Sequence, residues 1–197
     1  MTGLRVLIGV LALAAGAAAQ GREAEPVEVR CPSVLGVGVA TEVPFCDIEV
    51  QNDPVLGVRV VLPPHRGEAT LAFDLHNRHA YSETETRAGR AYTQYQASIA
   101  VATMEGEVIA RGIVLSEFRS AGDLIDRVGD GAGSGALSAV APIGVERLFV
   151  TLPAGIDQVS VVGQSLDVLR ADGRDTFNTA GRPIAVMSNA TLSYRPR

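Results

Sequence analysis

Three side chains that could bind a metal ion lie within six residues of one another: Asp74, His76 and His79. Carboxylate and imidazole groups are suitable ligands for zinc and copper. Asp74 and His76 are two residues apart, so on a β-strand they project from the same face, opposite the apolar stripe that starts at Leu71. The cluster matches no metalloenzyme signature. It predicts either a divalent-metal site or, more simply, polar residues on the solvent-facing side of a strand, and no cofactor is assigned.

Other catalytic patterns are incomplete. The segment Gly163–Asp167 carries only the first half of a serine-hydrolase nucleophile elbow, and all three histidines precede Ser165. The glycines between Gly129 and Gly135 form no phosphate-binding fingerprint, and there is no lysine to serve a P-loop. Asp126 and Asp130 lack the acidic ligand density of an EF-hand calcium loop. The protein is therefore expected to be non-enzymatic.

Tyr81 and Tyr92 bracket a polar segment and could be exposed there. Exposed tyrosines commonly anchor protein partners, and loops on a rigid scaffold often carry function. The segment Asn77–Arg90 and the glycine-rich loop are thus predicted to form a partner-binding surface that includes Asn77, Arg78, Tyr81, Tyr92 and Asp130. A carbohydrate-binding module is the weaker alternative, because the chain has no Trp and only four Tyr.

The N-terminal segment is typical of a secretory signal peptide. Arg5 precedes the apolar run Val6–Ala15, and Ala17–Ala19 supplies small residues for cleavage before Gln20. The run is shorter than the roughly 20 apolar residues of a membrane span, so an uncleaved anchor is the less favoured interpretation. We expect a signal peptide over 1–19, a short linker over 20–26 and one domain over 27–197, located in the periplasm or outside the cell, with no membrane span after cleavage.

The two cysteines, Cys31 and Cys46, are expected to form a disulfide bond, which is the usual state of paired cysteines in an exported protein. The formal net charge of −5, without any basic run, argues against nucleic acid as a partner. The predicted partner is an unidentified protein or envelope component.

Apolar and polar residues alternate with period two along most of the chain, between breaks at Gly, Pro and Asp. Only Ser120–Val128 favours a helix, because Ser120 and Asp123 form a capping box. This pattern predicts an all-β, antiparallel β-sandwich with one short helix, immunoglobulin-like by analogy only, with a small β-barrel as the alternative. The predicted function is a binding or structural module of the cell envelope or extracellular space.

Overall fold

Two antiparallel β-sheets pack face to face in the computed structural model, which describes residues 23–128 and 139–197. The predicted β-sandwich is confirmed. The predicted signal peptide and Asp130 of the glycine-rich loop lie outside the described residues. The strands are β1 Glu23–Pro26, β2 Glu28–Arg30, β3 Val34–Val37, β4 Pro44–Glu49, β5 Val58–Val61, β6 Ala69–Tyr81, β7 Thr93–Ala102, β8 Val108–Phe118, β9 Ala139–Leu152, β10 Gln158–Arg170, β11 Gly173–Phe177 and β12 Pro183–Tyr194.

Each sheet has six strands. The first has the order β3-β4-β12-β6-β9, and β1 also pairs with β12. The second has the order β2-β5-β10-β7-β8, and β11 also pairs with β10. The long central strands β6, β12, β7 and β10 therefore carry the core, while the shorter strands complete the edges.

The alternation in the sequence accounts for the core. Leu71, Phe73 and Leu75 of β6 are fully buried and face Ile99 and Val101 of β7 in one continuous hydrophobic cluster. Side chains two residues apart lie on the same face of a strand. Each central strand therefore contributes an apolar stripe to the space between the sheets. Burial of these stripes is the main stabilising contribution to such a fold.

Two predicted boundaries are wrong. Glu23–Pro26, expected in a linker, forms β1 and pairs with Thr191–Tyr194 of β12, because the end of β12 offers an unpaired edge. The expected helix after Ser120 is a single 3-10 turn, Ala121–Asp123, although its capping box is present. The α-helix, α1, is instead Glu83–Arg87, capped by Ser82; it follows β6 where a polar loop was expected.

The first sheet has a small second core on its outer face. Phe45, Val128 and Val186 are buried together there, and Leu35 and Val43 pack against them. The connection between β3 and β4 contains Thr41 and is held by Asp126. The Asp126 carboxylate accepts hydrogen bonds from Thr41 Oγ1 at 2.6 Å and from the Thr41 backbone N–H at 2.8 Å. The outer face of this sheet is therefore partly removed from solvent.

Candidate functional site

The predicted metal ligands do not converge on one point. Strand β6 runs through all three, so Asp74 and His76 lie on the outer face of the first sheet and His79 faces the second sheet. One ion cannot reach both faces of a sheet at ordinary metal–ligand distances of about 2 Å. Over residues 23–128 and 139–197, no three His, Cys, Asp or Glu side chains are grouped to hold a metal. The three-residue metal site, which was one of the two interpretations of this cluster, is therefore not formed.

His79 is buried between the sheets. Its ring stacks on Phe118 with a centroid distance of 3.9 Å, and its Nδ1 lies 2.8 Å from the hydroxyl oxygen of Tyr95. Burial lowers the pKa of His79 from 6.5 to about 4, so the ring is neutral at physiological pH. The sequence predicted a strand end before this residue. Instead the strand continues, and His79 fills an aromatic position in the core.

His76 lies on the outer face but is covered by Phe45, whose ring meets it edge-on at 5.7 Å. Its Nδ1 is 2.7 Å from the carbonyl oxygen of Gly144, which only accepts, so Nδ1 carries the proton. Its Nε2 then accepts from the Ser188 hydroxyl at 2.9 Å. Burial lowers the pKa of His76, although the Gly144 carbonyl and the charge of Asp74 act in the opposite direction.

The Ser188–His76 pair has the donor and acceptor order of a nucleophile and its base. Both side chains are buried, with Ser188 only 5% exposed. The pair connects β6 to β12 within the sheet, and this hydrogen bond was not predicted, because the 112 residues that separate the two give no local signal.

Asp74 stabilises a bulge in β12. Its Oδ1 accepts from Arg147 at 2.9 Å, and its Oδ2 accepts from the side-chain amide of Asn189 at 2.7 Å. Asn189 has a φ of +50°, and the β6–β12 register shifts between Ser188 and Thr191. Asparagine tolerates this left-handed conformation better than most residues. With both oxygens engaged, Asp74 would have to give up these bonds to bind a metal.

The predicted partner surface is largely interior. Asn77 is fully buried and donates to Ser116 Oγ at 2.7 Å, and Tyr81 is buried beside Phe118. The prediction that these two residues are exposed is wrong. Both side chains lie on the inward-facing side of β6.

The other two described members of that surface are more accessible. Arg78 is half-buried, with its Nε 3.1 Å from Asp47 Oδ1. Burial raises the pKa of Asp47 to about 6, although the charge of Arg78 opposes the shift. Tyr92 is 37% exposed and lies under the guanidinium of Arg119 at 5.0 Å. Tyr92 is thus the one predicted residue, among those the structure describes, with a substantially exposed aromatic side chain.

A groove of about 420 Å³ opens at one corner of the sandwich. We call it the corner groove; its lining includes Val27, Val29, Val34, Phe45, Met187 and Ser188. It forms because β12 pairs with β4 up to Met187 and with β1 from Thr191, so that the edge between them has no neighbouring strand. The two flanking strands meet this gap at prolines, Pro44 and Pro26, which have no N–H to donate to β12.

The disulfide bond forms one wall of the corner groove. Cys31 follows β2 of the second sheet and Cys46 lies in β4 of the first, with a Cα–Cα distance of 5.7 Å. The predicted pairing is confirmed. The bridge therefore joins the two sheets at the edge where strands β1 to β4 are short.

These features define the class of the protein: a two-sheet antiparallel β-sandwich with a disulfide between its sheets and an apolar groove at one corner. No helix in the described part of the chain is long and apolar enough to cross a membrane. No known protein family matches the chain, and no curated protein matches it.

Two solved structures align with it weakly. The VP2 subviral particle of infectious bursal disease virus aligns over 94% of this chain and 37% of its own, with 12% identity and a TM-score of 0.26. A mutant VP2 of the same virus aligns over 96% of this chain and 45% of its own, with 12% identity and a TM-score of 0.18. The chain spans less than half the length of either viral protein, and similarity this low assigns no function.

Proposed function

We propose that the protein is an exported binding module and that the corner groove receives an apolar group presented by a partner in the cell envelope or outside the cell. The observation that carries this proposal is the groove itself. Small-ligand and anchor pockets are concave, mostly apolar and furnished with a few polar groups. The corner groove has this composition, since valines, Phe45 and Met187 form much of its lining and Ser188 and Asn189 are its polar residues.

The groove is suited to an inserted side chain or short acyl group more than to a long peptide. Its volume of about 420 Å³ lies within the roughly 300–1,000 Å³ of ligand pockets. The unpaired edge of β12 is short, because Val27 already donates its N–H to the Ala190 carbonyl. A bound group would therefore be held by apolar contacts, with at most a hydrogen bond or two.

Export is part of the proposal and has its own support. The disulfide between Cys31 and Cys46 is typical of proteins that fold in oxidising compartments. Intact-mass analysis of the protein recovered from its native host would test both points together. We expect a chain that begins at Gln20 and lacks the two thiol hydrogens. A reduced, uncleaved chain in the cytoplasm would contradict export and leave the groove proposal to be judged by binding alone.

Binding is tested with two probes, indole as an aromatic anchor and decanoate as an acyl chain, titrated into isotope-labelled protein and followed by NMR. We expect saturable shifts at Val29, Met187 and Ser188. Ala190→Leu, which adds volume to the groove lining, should abolish the shifts. Ala80→Leu, at an exposed position outside the groove, is the matched control and should leave them intact. Shifts that are absent with both probes, or equal in the two variants, would refute a binding role for the groove.

A further inference from the structure

Strand β8 forms a long open edge of the second sheet. It pairs with β7 from Val108 to Phe118, and among the described residues no strand pairs with its other side. Its pairing is regular from Ala110 onward, and it contains no proline. Natural proteins usually protect such edges with short strands, bulges, prolines or lysines, because an open edge readily pairs with another chain.

The other edges carry these protections. Strand β9, the last strand of the first sheet, contains Pro142 and a register shift beside Gly144. Strand β3 has only four residues and a register shift at Gly36. Strand β2 has three residues. Strand β8 therefore differs from them in being long and free of proline, with a register shift only at its first residues.

The outer side chains of β8 are apolar where a solvent-facing strand would be polar. Ile113 is 54% exposed and Leu115 is 62% exposed. Their neighbours on β7 are polar, since Ile113 lies opposite Ser98 and Leu115 opposite Gln96. The sheet itself thus leaves this apolar surface uncovered.

The charges on β8 are arranged symmetrically about these two residues. The outward-facing residues are, in order, Arg111, Ile113, Leu115 and Glu117. When this strand is laid antiparallel against a second copy with Val114 opposite Val114, Ile113 lies opposite Leu115 and Arg111 lies opposite Glu117. Each pair occurs twice because of the two-fold symmetry, so the edge is complementary to itself in both shape and charge.

Both charged side chains lie on the exposed outer face of β8, although Glu117 already has partners within its own sheet. Arg111 is exposed and forms no salt bridge within the described parts of the chain. Glu117 is half-exposed; Arg119 binds its Oε2 at 2.6 Å and Gln94 binds its Oε1 at 2.7 Å. These contacts fix the carboxylate on the outer face at the position that the symmetric register requires.

We propose that the protein forms a two-fold homodimer in which the β8 strands of two copies pair antiparallel about Val114, joining the second sheets of both copies into one continuous sheet. This interface is remote in the strand order from β1, β4 and β12, which form the corner groove. The proposal is therefore independent of ligand binding there.

The test is sedimentation equilibrium of the disulfide-bonded protein at up to about 100 µM, a concentration at which a micromolar dimer is mostly associated. We expect a dimer for the wild type and a monomer for Leu115→Lys. Phe149→Lys is the matched control, since Phe149 is 70% exposed on β9 of the other sheet and should not affect association. All these side chains point outward, and thermal unfolding of each variant checks that it is folded.

Charge reversal tests the register. Arg111→Glu and Glu117→Arg should each weaken the dimer by about tenfold or more, because each places like charges opposite each other twice. The double variant should recover most of the affinity. A monomeric wild type at the highest concentration would overturn the proposal. A dimer unaffected by Leu115→Lys, or single reversals not rescued by their combination, would overturn this interface.

Discussion

The two faces of β6 use polar residues in different ways. On the outer face, three residues of β6 contact neighbouring strands of the same sheet. Asp74 and His76 form hydrogen bonds with Arg147 of β9 and Ser188 of β12, and Arg78 forms an ion pair with Asp47 of β4. On the inner face, Asn77, His79 and Tyr81 each contact the opposite sheet, through Tyr95 of β7 or through Ser116 and Phe118 of β8.

The outer residues therefore align neighbouring strands, whereas the inner residues hold the two sheets together. Along the inner face of β6, the apolar residues Leu71, Phe73 and Leu75 occupy the first half of the strand, and the three inner polar residues occupy the second half. Buried polar groups that have partners specify one packing arrangement, and those that lose a partner are costly. Removal of an inner residue should thus affect the whole sandwich, and removal of an outer residue should affect mainly its own sheet.

The largest effect should come from Asn77→Ala. Asn77 Nδ2 lies 3.2 Å from the carbonyl oxygens of Tyr95 and Val114 and 2.7 Å from Ser116 Oγ, and its two N–H groups are shared among these three acceptors. Its loss removes these bonds and leaves a buried void, so we expect a decrease in unfolding free energy of about 3 kcal/mol. Urea denaturation measures it. A loss below about 1 kcal/mol would show that the inner polar residues do not connect the sheets energetically.

The second-largest effect should be a decrease in unfolding free energy at acidic pH, caused by His79. Because the pKa of folded His79 is about 4 and that of an unfolded histidine is 6.5, the unfolded chain binds the proton first as pH falls. The contribution of His79 is fully present above about pH 6.5 and is lost towards pH 4, on the order of 3 kcal/mol in total. The raised pKa of Asp47 acts in the opposite direction below about pH 6.

His79→Gln separates these two contributions, since it keeps Asp47 and removes only the titrating ring. The difference in unfolding free energy between the wild type and this variant should shift in favour of the variant as pH falls from 6.5 to 4. Histidine NMR resonances provide a direct measurement, and His79 should titrate near pH 4. A titration near 6.5 would mean that the ring is not held between the sheets.

The sequence predicted the β-sandwich, because the apolar alternation in β6, β7, β8 and β12 survives in the structure with little change. The disulfide was equally predictable, since Cys31 and Cys46 both lie on apolar stripes. Both inferences rest on local patterns, which the physical chemistry of a strand determines directly.

The candidate site was much less predictable. The alternation of β6 continues through Asn77 and His79, but those positions are polar, so the sequence pattern predicts a strand end before His79. Their partners, Ser116 and Tyr95, are set by the packing of one sheet on the other and have no local signature. The same holds for the corner groove, which depends on β1 and β4 stopping at prolines on the same edge of β12. In the sequence, the only indication of the groove is the pair of prolines, Pro26 and Pro44, at which these two strands meet the gap.

The third effect tests the outer face. Ser188→Ala removes the hydroxyl that donates to His76 Nε2 and leaves a buried acceptor, so we expect a loss of about 1–2 kcal/mol. Since the Gly144 carbonyl still holds the proton on Nδ1, the tautomer of His76 should be unchanged, which its ring nitrogen chemical shifts report. A loss as large as that of Asn77→Ala would remove the distinction between the two faces.

The smallest effect should come from Asp74→Asn. Arg147 and Asp74 form a partly exposed ion pair at 2.9 Å, and such pairs contribute about 1 kcal/mol or less. The asparagine keeps an oxygen for one of the two donors, and Arg147 retains its bond to the Asn189 carbonyl at 2.7 Å, so the bulge should persist. The loss of unfolding free energy should therefore be about 0.5 kcal/mol and should shrink in 1 M salt, where the Debye length is about 3 Å.

A loss of several kcal/mol, independent of salt, would instead mean that Asp74 determines the conformation of Asn189 and with it the wall of the corner groove. The outer face would then control the binding site directly, and the contrast between the two faces of β6 would be one of position alone.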